Sequence, residues 1–372
     1  MGRGTDDRRA LDRRQMIAGS GTLVASCTSI RESPAARRTW DLDALLEAHA
    51  GVMPEKAGAG ANHYPMAGEA LEALGFPESI GEDWRARARG YARPIPRVAT
   101  VTDWKEALGD YGRYGDWLDL FRAECARQPW RAVVAQWVPR LAPGASAAVF
   151  HGLIRTAHAV RALRQAENGA RQDELAVALA YWAARYCPLE AAAAGPGLWK
   201  PLAELDHPWL AEREDVPFDE VHARLARAPI APPVSTAEVE GDVPLALAAL
   251  VREAASAFLE MLVLEQHRIW LLHTVTGPAA ASLIVPDLEE EGARMLAAYV
   301  RQAVMALFTA FGAPHTPLTH LRGHTAGWPE FTRRAAESRS VHTIKLIEVL
   351  YRFRATDEAV CRSVAAQWFE WT

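Results

Sequence analysis

The chain has few cysteines for its 372 residues: Cys27, Cys125, Cys187 and Cys361, none in CxxC or CxxH spacing. A zinc ribbon or a dense disulfide framework needs grouped thiols, so both are excluded. Nucleotide-binding signatures are absent as well. GAGAN at 58–62 and GPG at 195–197 lack the strand–turn–helix setting in which a glycine loop cradles a pyrophosphate. There is no P-loop, GxSxG or HExxH. Basic charge is not in excess: 41 Lys and Arg against 46 Asp and Glu give a net charge of −5. No nucleic-acid partner is indicated. Alternating strand patterns and internal repeats at a solenoid period are also missing.

What the chain has is apolar residues in helical rhythm. Half of it is hydrophobic and it holds 13 tryptophans, ample for a large core with Trp as filling. Leu42 opens a short amphipathic helix. Pro65 starts another, Met66 to Leu74, that Gly75 stops. Thr102-Asp103 reads as a cap for the helix WKEALGDY. Further helices are expected over Trp117–Arg127, Trp130–Leu141, Ser146–Ala166 and Gln172–Cys187. A long apolar run, Leu245–Thr276, is interrupted by Gly277-Pro278. Helices then follow over Ala279–Ile284, Gly292–Phe311, Trp328–Ser338, Val341–Tyr351 and Asp357–Trp371. Residues 77–100 read as irregular and 193–245 as loop-rich. The expected fold is all-α, a single helical domain over 41–372 with a metal site in its core.

The leader reads differently. Arg13-Arg14 precedes a short run of apolar and small residues, Ile17 to Ala25, and then Ser26-Cys27. This resembles a twin-arginine export signal ending in a lipobox. Residues 1–26 are then a signal and 27–40 a linker, with Cys27 carrying a lipid anchor and the protein exported. The other reading is a leader on a cytoplasmic protein. Nothing after the leader reads as membrane-spanning.

Four histidines sit in separate phrases with apolar neighbours: His63 in ANHYPM, His151 in FHGLIR, His273 in LLHTVTG and His342 in VHTIK. Buried imidazoles need partners for both nitrogens, and a metal ion can serve several at once. Capping, surface or core histidines bonded to carbonyls are the plainer alternatives. Lys345 lies three residues after His342, on the same helical face. An apolar setting lowers its pKa, and the neutral amine can add carbon dioxide to form an anionic carbamate. Otherwise it reaches solvent or pairs with Glu348, and the residues alone favour that. Arg155 and His158 share the face of His151 and need partners too. His315, His320 and His324 read as surface or pocket-rim residues, and His49, His207, His222 and His267 carry no special signal.

Four phrases together, NHYPMAGEALEALG (62–75), PGASAAVFHGLIRTAHAVRAL (143–163), LLHTVTGPAA (271–280) and VHTIKLIEVL (341–350), resemble the questin oxidase-like family. Its fungal enzymes oxidatively open anthraquinone-type rings. The resemblance implies a non-haem Fe(II) oxygenase with His63, His151, His273 and His342 as ligands. Lys345 would be carbamylated as the fifth, leaving one position for water or dioxygen. It thus favours the ligand reading of Lys345. Arg155 and His158 become groups that orient ligands or a phenolate. The partners implied are dioxygen and a small polycyclic or phenolic aromatic whose ring is opened. Met66 and Arg155 stand where fungal members tend to have further histidines, a departure that bears on the substrate. Two alternatives stand beside this reading. One is an NADPH-dependent Baeyer–Villiger-type monooxygenase without metal, although no dinucleotide motif supports it. The other is a non-enzymatic helical binding lipoprotein.

Overall fold

In a computed structural model the described residues are 41–56, 60–189, 201–205, 221, 225, 234, 239, 241–261, 268–312 and 326–371. The leader with Cys27, and His207, His222, His267, His315, His320 and His324, lie outside the described residues. Thr39–Thr372 form one unit by their internal contacts. Its fold is all-α. In chain order the helices are α1 (Leu42–Ala50), α2 (Tyr64–Leu74), α3 (Glu82–Ala86), α4 (Trp104–Ala107), α5 (Tyr114–Arg127), α6 (Trp130–Leu141) and α7 (His151–Gln165). They continue with α8 (Gly169–Ala184), α9 (Val243–Met261), α10 (Arg268–Ile284), α11 (Glu290–Phe311), α12 (Trp328–Ser338), α13 (Val341–Phe353) and α14 (Glu358–Trp371). Among the described residues the strands are β1 (Glu55–Lys56) and β2 (Gly60–Ala61), an antiparallel pair with Glu55 opposite Ala61.

Local chemistry explains the helix starts that matter for the site. The Asp41 carboxylate accepts from the Ala44 amide at 2.9 Å and caps α1. Leu42, Leu45, Leu46 and His49 then fall on one buried face at the i, i+3, i+4, i+7 positions. Ser340 caps α13 by accepting from the Thr343 amide, and Asn168 caps α8 through the Arg171 amide. The main core runs through a stack in which α5 packs on α8, α8 on α7, α7 on α10, and α10 on both α9 and α11. A smaller apolar cluster under α1 and α2 includes Leu42, Leu45, Leu71 and Trp84.

Four expectations are corrected. Gly277-Pro278 does not interrupt a helix: α10 runs unbroken to Ile284. Packing on several sides overrides the intrinsic helix-breaking of proline, and Gly277 is needed for a close approach rather than a stop. By length and composition the segment Arg268–Asp287, which contains α10, could cross a membrane, yet 72% of its most apolar stretch is buried inside the protein, as for a core helix. Second, the run from Ser146 is not one helix. Ala148, Val149 and Phe150 all take left-handed conformations, φ 48°, 56° and 64°, and α7 begins only at His151. Periodicity cannot see such a turn. Third, WKEALGDY is helical only over Trp104–Ala107. Gly109, at φ 79°, turns the chain against the Tyr186 carbonyl, where a Cβ would come within 2.8 Å of the oxygen. Residues 77–91 hold short helical turns rather than irregular chain, followed by an extended stretch.

Candidate metal centre

Four helices close a ring: α2 packs on α7, α7 on α10, α10 on α13, and α13 on α2. Each supplies one histidine. His63 is the residue that caps α2, His151 begins α7, His273 lies within α10 and His342 is second in α13. Around the ring the imidazole centroids are separated by 4.6 Å (63–151), 4.5 Å (151–273), 6.0 Å (273–342) and 4.4 Å (342–63). The structure therefore gathers all four histidines that the sequence singled out. Lys345, one turn beyond His342, joins them. It is 1% exposed and its Nζ lies 2.8 Å from His63 Nδ1. It neither reaches solvent nor pairs with Glu348, whose Oε1 takes Arg161 and Arg352.

The hydrogen bonds decide which nitrogens face inward. His151 Nδ1 donates to the Ala148 carbonyl and His273 Nδ1 to the Ile269 carbonyl, at 2.6 Å for the latter. A carbonyl only accepts, so each Nδ1 carries the ring proton and each Nε2 presents a lone pair. Those two Nε2 atoms stand 3.2 Å apart. Two lone pairs at that distance repel unless a cation lies between them. Two nitrogens about 2.0–2.1 Å from one ion and roughly 100° apart around it would be about 3.2 Å apart. The Nε2 of His342 is buried without a hydrogen-bond partner. Among the described residues no group of three or more His, Cys, Asp or Glu side chains is placed to hold a metal ion. The case for a cation therefore rests on the facing Nε2 atoms of His151 and His273 and on the orphaned His342 Nε2.

Electrostatics follow from burial. It holds the His273 imidazole down to about 3, with the Lys345 charge adding to the effect. His63, His151 and His342 are lowered well below the usual histidine range, first by burial and then by neighbouring charged forms. Burial brings the Lys345 amine down to about 7, so a neutral, nucleophilic amine is accessible near neutral pH. The rings are neutral donors grouped around a lysine that can lose its charge.

The mount of His151 is built by the left-handed turn, which swings the Ala148 carbonyl back to the ring. Phe150 at its end fills a notch at Gly277 on α10, where a Cβ would come within 2.9 Å of the phenyl ring. Gly152 gives the same closeness to Trp182 of α8, at 2.7 Å. Arg155 and His158 lie deeper along α7. Arg155 makes a two-pronged pair with Glu174 of α8, at 2.6 and 2.9 Å. His158 Nδ1 lies 2.5 Å from Glu69 of α2, which also takes Arg161 at 2.6 Å through each oxygen. Both predicted orienting residues are thus committed to carboxylates.

Sequence reading missed Glu69, Arg161 and Glu348, which lock α2, α7 and α13 together behind the histidines. It also missed His49, which is fully buried and bonded to Asn62 and to the Trp84 carbonyl. The signal was present: His49 completes the buried i, i+3, i+4, i+7 stripe of α1.

An all-helical protein with a ring of four histidines, two buried and two half-buried, beside a buried lysine is the class that fold and site define. The chain belongs to the questin oxidase-like family, whose model matches residues 61–350 and so spans all five of these side chains. Membership points to an oxidoreductase, an oxygenase in general terms. A search of curated proteins found no match.

Proposed function

We propose that the protein is a non-haem iron-dependent oxygenase that opens a ring of a polycyclic or phenolic aromatic. The observation that carries this is the paired Nε2 lone pairs of His151 and His273, 3.2 Å apart beside the unpartnered His342 Nε2. His63, His151, His273 and His342 would hold Fe(II) through ring nitrogens. Lys345 would add an oxygen donor: its neutral amine attacks carbon dioxide, a C–N bond forms, a proton leaves and a carbamate results. A ferrous ion held there supplies dioxygen chemistry. The protein's own part is to keep the imidazoles neutral by burial and to fix two tautomers through the Ala148 and Ile269 carbonyls. Arg155 and His158 hold α7 to α8 and α2, which keeps His151 in register.

Anaerobic reconstitution with Fe(II) and bicarbonate, followed by metal analysis, tests the reading. About one iron per chain is expected, falling to near zero in His273→Ala. Aromatic-dependent oxygen uptake should vanish with chelator. Uptake that required NADPH and survived chelation would overturn the iron assignment. The leader supports a second, independent proposal, export with lipid attachment at Cys27. Cys27→Ala should release the protein from the membrane fraction.

A further inference from the structure

His49 has no part in the chemistry so far, yet its side chain is wholly buried and its bonds reach the centre. Their directions follow from the backbone outward. The Tyr64 amide can only donate, so Asn62 Oδ1 accepts from it at 3.3 Å. That turns Asn62 Nδ2 toward His49 Nδ1, 2.8 Å away, and Nδ1 must accept. The proton therefore sits on Nε2, which donates to the Trp84 carbonyl at 3.0 Å. One neutral tautomer satisfies every contact, and an imidazolium would set an N–H against the Asn62 amide. Burial, which holds this ring down to about 4, agrees.

Both chain neighbours of His63 are tied to this ring. Asn62 is held by the side-chain bond and by its own amide, which donates to the Pro54 carbonyl at 2.8 Å. Tyr64 stacks on His49 with centroids 5.6 Å apart and meets Trp84 edge-on at 5.4 Å. His63 itself makes no capping bond, so the entrance to α2 is fixed from Asn62. We propose that His49 is a positioning residue of the histidine centre: as a neutral acceptor acting through Asn62, it sets the start of α2 and with it the direction of the His63 imidazole. The proposal rests on the iron-site reading for its functional meaning.

Two substitutions separate the roles of the two ring nitrogens. An asparagine amide reaches about as far as Nδ1 and a glutamine amide about as far as Nε2. His49→Asn thus keeps the acceptor for Asn62 and loses the Trp84 bond, while His49→Gln does the reverse. Each loses one buried bond, so their melting temperatures should be similar. Ferrous iron affinity should fall about 10–100-fold in His49→Gln and stay within about threefold of the parent in His49→Asn, as for groups that orient a ligand. In the metal-free protein, the ring nitrogen NMR signals of His63 should move in His49→Gln alone. If iron affinity tracks melting temperature in both variants, or the His63 signals move equally in the two, His49 is a core residue only and the proposal falls. Should the parent protein take up no iron, the proposed function fails, and the metal-free His63 signals decide the positioning role by themselves.

Discussion

Helix α7 carries two kinds of buried polar chemistry within three turns. Past its first turn, Arg155 is matched to Glu174, and Arg161 and His158 to Glu69, with both oxygens of each carboxylate taken. At its first residue, His151 turns a lone pair toward another lone pair. The same burial surrounds both regions. A buried network of matched charges holds elements together, whereas imidazole nitrogens that face one another add no such pairing. Opposite charge at each contact separates the scaffold here from the candidate centre; completeness alone does not, since Glu348 Oε2 in the scaffold has no hydrogen-bond partner either.

If that contrast holds, the paired region should be the more costly to cut. Glu174→Ala leaves the Arg155 guanidinium buried and unmatched. An uncompensated buried charge of that kind costs about 3–5 kcal/mol, to be read as a fall in urea unfolding free energy. A loss under about 1 kcal/mol would mean that water reaches Arg155 and the pair is not structural.

Acid should divide the two regions by pH. Burial, opposed by the Trp84 carbonyl bond, lowers His49 from 6.5 to about 4. Between those values the unfolded chain binds a proton that the folded chain does not, so stability is full above about 6.5 and falls as pH drops to about 4. On the order of 3 kcal/mol is at stake for this ring at 1.4 kcal/mol per unit. The centre's own histidines, lowered in the same direction, add to the slope in metal-free protein. Burial pushes Glu348 up, but Arg161 and Arg352 outweigh it and hold the carboxyl down to about 2. Its contribution is therefore complete above 4.5 and lost only below that. Unfolding free energy measured from pH 8 to 3 should fall first with the Lys345 amine, lowered from 10.5 to about 7, then with the histidines, and only last with Glu348. A profile flat down to pH 4.5 would contradict the neutral, buried state of His49.

Much of this is legible in the residues alone. The all-α fold follows from helical periodicity, and α6 and α12 match the expected ends, Trp130–Leu141 and Trp328–Ser338. The shared face of His342 and Lys345 follows from their three-residue spacing. Apolar flanks hint that His63, His151, His273 and His342 meet, but they do not determine it, because closing a ring of four helices depends on long-range packing. The left-handed turn before His151 is hidden for a different reason: Ala, Val and Phe rarely adopt positive φ, so nothing in their identity announces it. His49 escapes notice because the buried stripe of α1 is marked by its leucines, and a histidine in the fourth place looks like a surface residue.

The unmatched region should behave in the opposite sense to Glu174. His342→Leu replaces a ring whose Nε2 has no partner by an apolar side chain of similar bulk. Removing an orphaned polar atom in favour of an apolar group is near neutral or stabilising, so metal-free protein should change by about 1 kcal/mol or less, or gain stability. Iron uptake should be lost in the same variant. A destabilisation as large as that of Glu174→Ala would show that His342 is an ordinary core residue and erase the contrast.

The smallest effect is expected at the turn that mounts His151. Ala148 sits at φ 48°, where an L-residue with a Cβ is strained by roughly 1–2 kcal/mol. Glycine removes that strain but adds about 0.5–1 kcal/mol of chain entropy to the unfolded state. The two effects nearly cancel, so Ala148→Gly should shift unfolding free energy by less than about 1 kcal/mol. The carbonyl that takes the His151 Nδ1 proton is retained, and the ring's nitrogen NMR signals and iron affinity should therefore match the parent. If affinity fell while stability held, the Ala148 methyl, and not the carbonyl, would be what orients the imidazole.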